Sequence, residues 1–265
     1  MLPRLPRKPA TIGGKNHLRS QIVGIGIYVK TRINVGLQPS DIKIYRTDVK
    51  LTKKITLLDY GMCNLLNVVR ALEHVGAEVT VTESLADAAH TSRLVVPGVG
   101  AFKDSLAEIR RRGFDDLIRE FIQTGRPFLG ICVGMQMLFD ASEEFGEFPG
   151  LGILPGRVKA VPNVSTSNHS QRIPHIGWNH LVPPESGRDW GGTLLEGFLH
   201  QSPAMYFVHS FAAQPSQPSD RLADCVYGGY RISAAVERDN IMATQFHPER
   251  SAKDGLNVLR RFILL

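Results

Sequence analysis

Between Lys53 and Val96 the chain alternates short apolar runs with helical periods, and this alternation restricts the fold more than any other feature. Ile55-Thr56-Leu57-Leu58 reads as a buried strand that ends at Asp59-Tyr60-Gly61. Asn64–Val75 carries apolar residues at 65, 66, 68, 69, 72 and 75, a helical period, and Gly76 closes it. Ala77–Val81 alternates as a strand, Ser84–His90 is a short helix with Ser84 as its N-cap, and Leu94-Val95-Val96 is a further buried strand. Two more helical periods, Phe102–Arg112 and Phe114–Thr124, precede an apolar run at Pro127-Phe128-Leu129. The order predicts an α/β fold with an open, mostly parallel sheet flanked by helices. In such sheets ligands sit at the carboxyl ends of the strands. Asp59-Tyr60-Gly61 and Pro97-Gly98-Val99-Gly100 both fall there.

Past residue 150 the pattern changes. Gly156–Val161, Met205–Phe211, Leu222–Tyr227, Ile232–Val236 and Ile241–Phe246 read as strands between Pro- and Gly-rich turns, and no long helix recurs until Gly255–Leu264. This half is expected to form an additional antiparallel β-rich part that returns to the sheet at its end. Asn163–Arg172 is polar and reads as a loop. No internal repeat is present, which argues for one domain and not an array.

Charge separates this domain from what precedes it. Residues 1–54 hold 12 of the 31 Lys and Arg but 2 of the 25 Asp and Glu, a balance of +10 that leaves −4 for the rest. The expected organisation is a basic, disordered N-terminal extension over 1–53 and a globular domain over 54–265. Pro3, Pro6, Pro9 and Gly13-Gly14 favour disorder in the extension. The apolar run Ile22–Val29 is short and is followed by Lys30-Thr31-Arg32, not by a small-residue cleavage site. No run reaches the ~18 apolar residues of a membrane helix. Three widely spaced cysteines, Cys63, Cys132 and Cys225, point away from a disulfide framework and towards a reducing, cytoplasmic setting. No Cys/His cluster has metal-site spacing, so no metal or cofactor is expected, and the mildly acidic domain gives no reason to expect nucleic acid or membrane as a partner.

The chemistry centres on Gly130-Ile131-Cys132-Val133-Gly134. An apolar run leads in, and a helix-like run, Met135–Phe139, leads out. Glycines on both sides let a strand-to-helix turn lift one side chain into the open, as in the elbows of Gly-x-Ser-x-Gly hydrolases. A small buried cysteine in a Gly-rich turn fits the pentapeptide equally well. A reactive thiol needs a base and a group to orient that base. Of nine histidines, one comes with a strand, a rigid turn and a carboxylate in a single motif: Gln245-Phe246-His247-Pro248-Glu249.

Gly-Ile-Cys-x-Gly-Met-Gln followed far downstream by Gln-Phe-His-Pro-Glu-x-Ser resembles the class I (triad) glutamine amidotransferases, and among them the glutaminase subunits of imidazole glycerol phosphate synthase. Asp59–Leu65, Pro97–Phe102, Ile173–Asn179 and Tyr206–Phe211 match in the same order, so the resemblance covers about residues 54–265. The resemblance implies that Cys132 attacks the side-chain amide of glutamine, His247 activates it and protonates departing ammonia, and Glu249 holds the imidazole. Val133 N–H would be one oxyanion donor, and the Gly98-Val99-Gly100 segment would supply the second. The resemblance further implies that this loop switches when the partner binds its acceptor substrate. Gln136 and the backbone of His209, Ser210 and Phe211 match positions that grip glutamine. The implied partner is a (β/α)8-barrel cyclase subunit that forms a heterodimer and receives the ammonia for histidine biosynthesis. Asn64, Trp178 and Arg250 match its interface. Packed-strand and core-aromatic readings stay open for His209 and Trp178.

Cys63 stands where the family has Gly, Ile176 often reads Met, and Arg250 often reads Lys. A related lineage feeds ammonia to sugar amidination in surface-polysaccharide synthesis, and a thiol hydrolase that ignores glutamine is the rival of another class.

Overall fold

A computed structural model describes residues 53–265, together with the backbone of two short strands, β1 (Arg19–Val23) and β2 (Ile27–Thr31). These two strands pair antiparallel, with Arg19 opposite Thr31. The expectation of a disordered basic extension over 1–53, and the reading of Ile22–Val29, otherwise lie outside the described residues. The chain divides into two compact units, Met1–Leu51 and Thr52–Leu265.

The second unit is built on a nine-stranded sheet. Its parallel half contains β3 (Lys54–Leu58), β4 (Glu78–Thr82), β5 (Leu94–Gly98) and β6 (Phe128–Cys132), with β4 at the edge and β3, β5 and β6 following in that order. Every residue of β5 and β6 is buried, as expected for strands covered on both faces. β4 alternates Glu, Val and Thr, and most of it is at least partly exposed, which suits an edge.

Four of the helices come where the apolar period places them: α1 (Leu65–His74), α2 (Leu85–Ala89), α3 (Phe102–Arg111) and α4 (Phe114–Gln123). Ser84 caps α2, its hydroxyl accepting from Asp87 N–H at 3.3 Å. α2 and α3 pack on α4, while α1 packs on the C-terminal helix α6 (Ala252–Phe262). Phe102, Phe114, Phe121, Phe128, Phe246 and Phe262 are each less than 2% exposed. Burying such a ring stabilises by roughly 1.5–3 kcal/mol relative to leaving it in water.

The sheet continues antiparallel from β15 (Ile241–Thr244), which pairs parallel with β6 on one side and antiparallel with β14 (Tyr230–Arg238) on the other. Next come β13 (Arg221–Tyr227), β10 (His175–Val182) and β11 (Ala204–His209). A second sheet of four strands has the order β12 (Phe211–Pro215), β9 (Leu154–Ala160), β7 (Phe139–Ser142), β8 (Phe148–Pro149).

Three segments differ from the sequence reading. The helix after Cys132, α5 (Val133–Gln136), is a single turn, and Phe139 already begins β7. The carbonyls of Met137, Leu138 and Phe139 accept from the amides of Leu151, Ile153, Leu154 and Gly152, so the returning chain captures groups a longer helix would need. The run Met205–Phe211 is two strands in different sheets, broken at Ser210. β10 was not anticipated as a strand, since Gly177, Asn179 and two histidines hide its alternation.

Candidate active site

Cys132 ends β6 with φ 55° and ψ −111°, a conformation costly for a side chain with a Cβ. Both flanking glycines are needed for it. A Cβ on Gly134 would lie 1.9 Å from the Val96 carbonyl oxygen, and one on Gly130 would lie 2.7 Å from the Gly134 oxygen. The turn therefore folds tightly against β5 and leaves the thiol at a strand end.

His247 lies beyond β15, the strand beside β6, and lines the same pocket as Cys132. Its backbone is fixed: His247 N–H donates to Tyr206 O at 3.0 Å, and Ser251 Oγ donates to His247 O at 2.7 Å. The imidazole Nδ1 is 2.8 Å from Glu249 Oε1, with both side chains buried. Pro248 opens the short turn that brings the carboxylate back to the ring. Burial opposes charge on His247, but hydrogen bonding and charge from Cys132 and then Glu249 outweigh it and raise the imidazole to about 10.

This shift links protonation to stability with a definite sign. A folded value above 6.5 contributes stability that is fully present below about 6.5 and is lost as pH rises through about 10. Glu249→Gln removes one of the raising contributions. The His247 titration followed by imidazole NMR is expected to move down in that variant, and an unmoved midpoint would refute the role of the carboxylate.

Two glutamines support the thiol. Gln136 Nε2 donates to Gln245 Oε1 at 3.0 Å and to Phe211 O at 2.9 Å, and Gln245 Nε2 donates to Cys132 Sγ at 3.6 Å. Gln245 is fully buried, whereas Gln136 borders the pocket, which has a volume of about 260 Å³ and is also lined by Val99, Gly100, Val133, His209 and Ser210. That is just below the roughly 300–1,000 Å³ of drug-sized ligand sites.

The Gly98-Val99-Gly100 segment faces this pocket from β5. A Cβ on Gly98 would lie 2.6 Å from Tyr60 Oη and 2.9 Å from Val133 Cβ, so only glycine fits. Val99 N–H donates to Met62 O at 3.0 Å. Cys63 Sγ donates to Pro97 O at 3.5 Å, and burial pushes that thiol up to about 11. The loop over 59–64 thus holds both sides of the Pro97–Val99 peptides.

The expected interface residues lie outside the pocket. Trp178 is 55% exposed, which removes the core-aromatic reading, and it meets Tyr206 edge-on at 6.3 Å. The Arg250 guanidinium lies 4.4 Å over the same tyrosine ring. Asn64 precedes α1, is exposed and makes no capping hydrogen bond, and α1 packs on the turn carrying Arg250. His209, in contrast, is buried, and its ring bonds within the protein.

Sequence reasoning missed Gln245, Glu144 and His175. Gln245 lies two residues before His247 in the quoted motif, and strand alternation would have put both on one side. Glu144 lines the pocket and accepts from Phe102 N–H at 2.7 Å through Oε2, a contact 42 residues away with no local signal. Among the described residues, no group of three or more His, Cys, Asp or Glu is placed to hold a metal ion, and no helix is long and apolar enough to cross a membrane.

A thiol at a strand-to-helix elbow and a histidine–carboxylate pair beside it, on a parallel sheet with an antiparallel extension, are the fold and site of an α/β enzyme. The family model described as glutamine amidotransferase class-I matches residues 56–265. The chain belongs to that family and is a glutamine amidotransferase. It is 44% identical over 209 residues to imidazole glycerol phosphate synthase subunit HisH 1 of Legionella pneumophila (strain Lens), covering 79% of this chain and 98% of the relative. The subunit HisH of Rhodopirellula baltica is likewise 44% identical, over 78% of this chain and 96% of its own length. Among solved structures, a glutamine amidotransferase matches with a TM-score of 0.59 at 20% identity, over 78% of this chain and 96% of that one. PurLQS from Thermotoga maritima matches with a TM-score of 0.59 at 19% identity, over 79% and 96%. At these identities the structures speak for the fold alone, and they agree with the α/β architecture read from the sequence.

Proposed function

We propose that the chain is the glutaminase subunit of imidazole glycerol phosphate synthase, that Cys132, His247 and Glu249 are its catalytic triad, and that residues 54–265 form the catalytic domain. The observation that carries the site is the buried His247–Glu249 pair at 2.8 Å, with His247 lining one pocket with the elbow thiol. The assignment to this synthase rests on the 44% identity to its HisH subunits over nearly their whole length. Cys132 Sγ adds to the side-chain carbonyl of glutamine, and His247 gives its proton to the departing ammonia. The γ-glutamyl thioester is then cleaved by water, with His247 as general base, releasing glutamate.

The tetrahedral oxyanion needs preorganised donors, each worth roughly 3–4 kcal/mol in such sites. Val133 N–H, in the first turn of α5, has no partner within its helix and is one donor. Val99 N–H is held by Met62 O, so it can serve only after that bond opens and the peptide turns. This supports a resting state of low activity that a partner raises. The partner is a (β/α)8-barrel cyclase, bound at a surface carrying Asn64, Trp178 and Arg250. Exposed Trp and stacked Arg are the residue types that anchor interfaces.

The test is glutamine hydrolysis by the chain alone and with the cyclase and its acceptor substrate. Release of glutamate that rises with the cyclase supports the reading; turnover of esters or peptides in preference to glutamine would discard it. Cys63→Ala removes the thiol that donates to Pro97 O. A neutral hydrogen bond contributes about 0.5–1 kcal/mol, so partner-free hydrolysis is expected to rise roughly two- to fivefold. The rate with partner is expected to stay the same, and unchanged basal rates would show that Cys63 does not hold the loop.

A further inference from the structure

Two buried histidines that the triad does not use lie at the pocket: His209 lines it, and His175 sits behind His209. His209 Nδ1 lies 2.9 Å from Phe211 O, and its Nε2 lies 3.0 Å from His175 Nδ1. His175 Nε2 is 3.3 Å from Asn179 Nδ2. That amide cannot be flipped, because Asn179 Nδ2 also donates to Val226 O at 2.9 Å and Asn179 Oδ1 accepts from His180 N–H at 2.8 Å. Main-chain groups therefore fix the chain at both ends. Phe211 O can only accept, so His209 Nδ1 carries a proton. The amide NH2 can only donate to His175, so His175 Nε2 carries none. Between them, His175 Nδ1 donates to His209 Nε2, and both rings are neutral. A second proton on either ring would set N–H against N–H inside the fold.

The surroundings hold this arrangement in place. His175 and His209 are 3% and 6% exposed. The His175 ring is stacked between Phe207 and Tyr227, with centroids at 5.0 and 4.1 Å. Burial pushes His175 down to about 4, and burial together with His175 and His247 pushes His209 down to about 3, although the Phe211 carbonyl opposes this. At one end, Phe211 O also accepts from Gln136 Nε2, in the wall of the pocket. At the other, β10 turns Ile176 and Trp178 outward, both more than half exposed, between the inward His175 and Asn179.

We propose that Asn179, His175 and His209 form a neutral hydrogen-bond relay that ties the surface strand β10 to the Phe211 carbonyl, making His175 a positioning residue for the glutamine-binding segment Ser210–Phe211. The inference rests on the glutamine-site reading above. Ser210 is the break between two sheets: its carbonyl accepts from Val161 N–H at 2.8 Å and Phe211 pairs with Ala160, so the backbone ladder ties the segment to β9 alone past that point. The relay and Gln136 add a second restraint, from the side of the large sheet and of the pocket, by converging on Phe211 O.

Two variants separate the relay from simple packing. His175→Phe keeps a ring between Phe207 and Tyr227 but cannot donate to His209; His175→Asn loses the ring but keeps a donor near the Nδ1 position. In the complex with the cyclase, the half-saturating glutamine concentration is expected to rise about tenfold in His175→Phe, as for loss of a buried hydrogen bond, with kcat within about twofold. The His175→Asn variant is expected to recover most of the affinity. In the full chain labelled with ¹⁵N, long-range imidazole correlations are expected to show both rings as the neutral Nδ1–H tautomer throughout pH 6–8. Unchanged half-saturation in His175→Phe, or an Nε2–H tautomer on either ring, overturns the relay. Absence of glutamine turnover in the wild-type complex would overturn the active-site reading instead, and the tautomers, read without substrate, would still decide the relay.

Discussion

Cys132→Ser is expected to lower glutamine hydrolysis by on the order of 10⁴-fold or more, with or without the cyclase, because losing the nucleophile of a triad removes the covalent route as a whole. The substitution is nearly isosteric, and Cys132 is buried at a position where a hydroxyl can still accept from Gln245 Nε2. The fold should therefore survive, and thermal denaturation should match the wild type within a few degrees. A glutamine-analogue chloroketone should label the wild type at Cys132 and leave the variant unlabelled. His247→Asn should fail in the same assay, and combining the two should add little, as expected for groups that act as one unit. Substantial glutaminase activity in Cys132→Ser would refute the mechanism.

Gly134→Ala is expected to have the largest effect on stability. Gly134 has an ordinary backbone conformation, so the cost is steric: the new methyl would lie 1.9 Å from Val96 O, a backbone atom of β5 that cannot swing away. Overpacking typically costs 1–3 kcal/mol, and a collision with a central strand should reach about 3 kcal/mol or more. For a domain of this size that lowers Tm by roughly 6–12 °C. Activity should fall further than stability, because relief requires moving Val96 and with it Pro97–Gly98 beside the thiol. Gly125→Ala is the control. Gly125 has φ 75° but nothing within 4 Å of its Cβ position, so that change should cost only about 1–2 kcal/mol and leave turnover intact. Equal losses in the two variants would show that the elbow is not tightly packed on β5.

The parallel half of the sheet was legible because its signals are local. Apolar runs at 55–58, 94–96 and 127–129, with helical periods between them, depend only on each segment's own pattern, and the structure reproduces them within three residues. The elbow was legible for the same reason, since its glycines lie within two residues of Cys132. The length of α5 was not, because the amides that stop it arrive from 150–154, nor was the break at Ser210, where two strands of similar composition join different sheets. Exposure of Trp178 was equally undecidable, since Trp178 and the buried Trp190 are the same residue type.

The sequence by itself determined the α/β alternation, the thiol between two glycines and the His-Pro-Glu turn, for each is encoded by neighbours in the chain. Only the tertiary structure decided what those groups meet. It brought β15 beside β6, so that His247 and Cys132, 115 residues apart in the sequence, share one pocket. It tied Val99 N–H to Met62 O and joined His175 to His209 behind Phe211. Such contacts depend on strand order and on which backbone groups remain to be satisfied, and those are properties of the packed sheet.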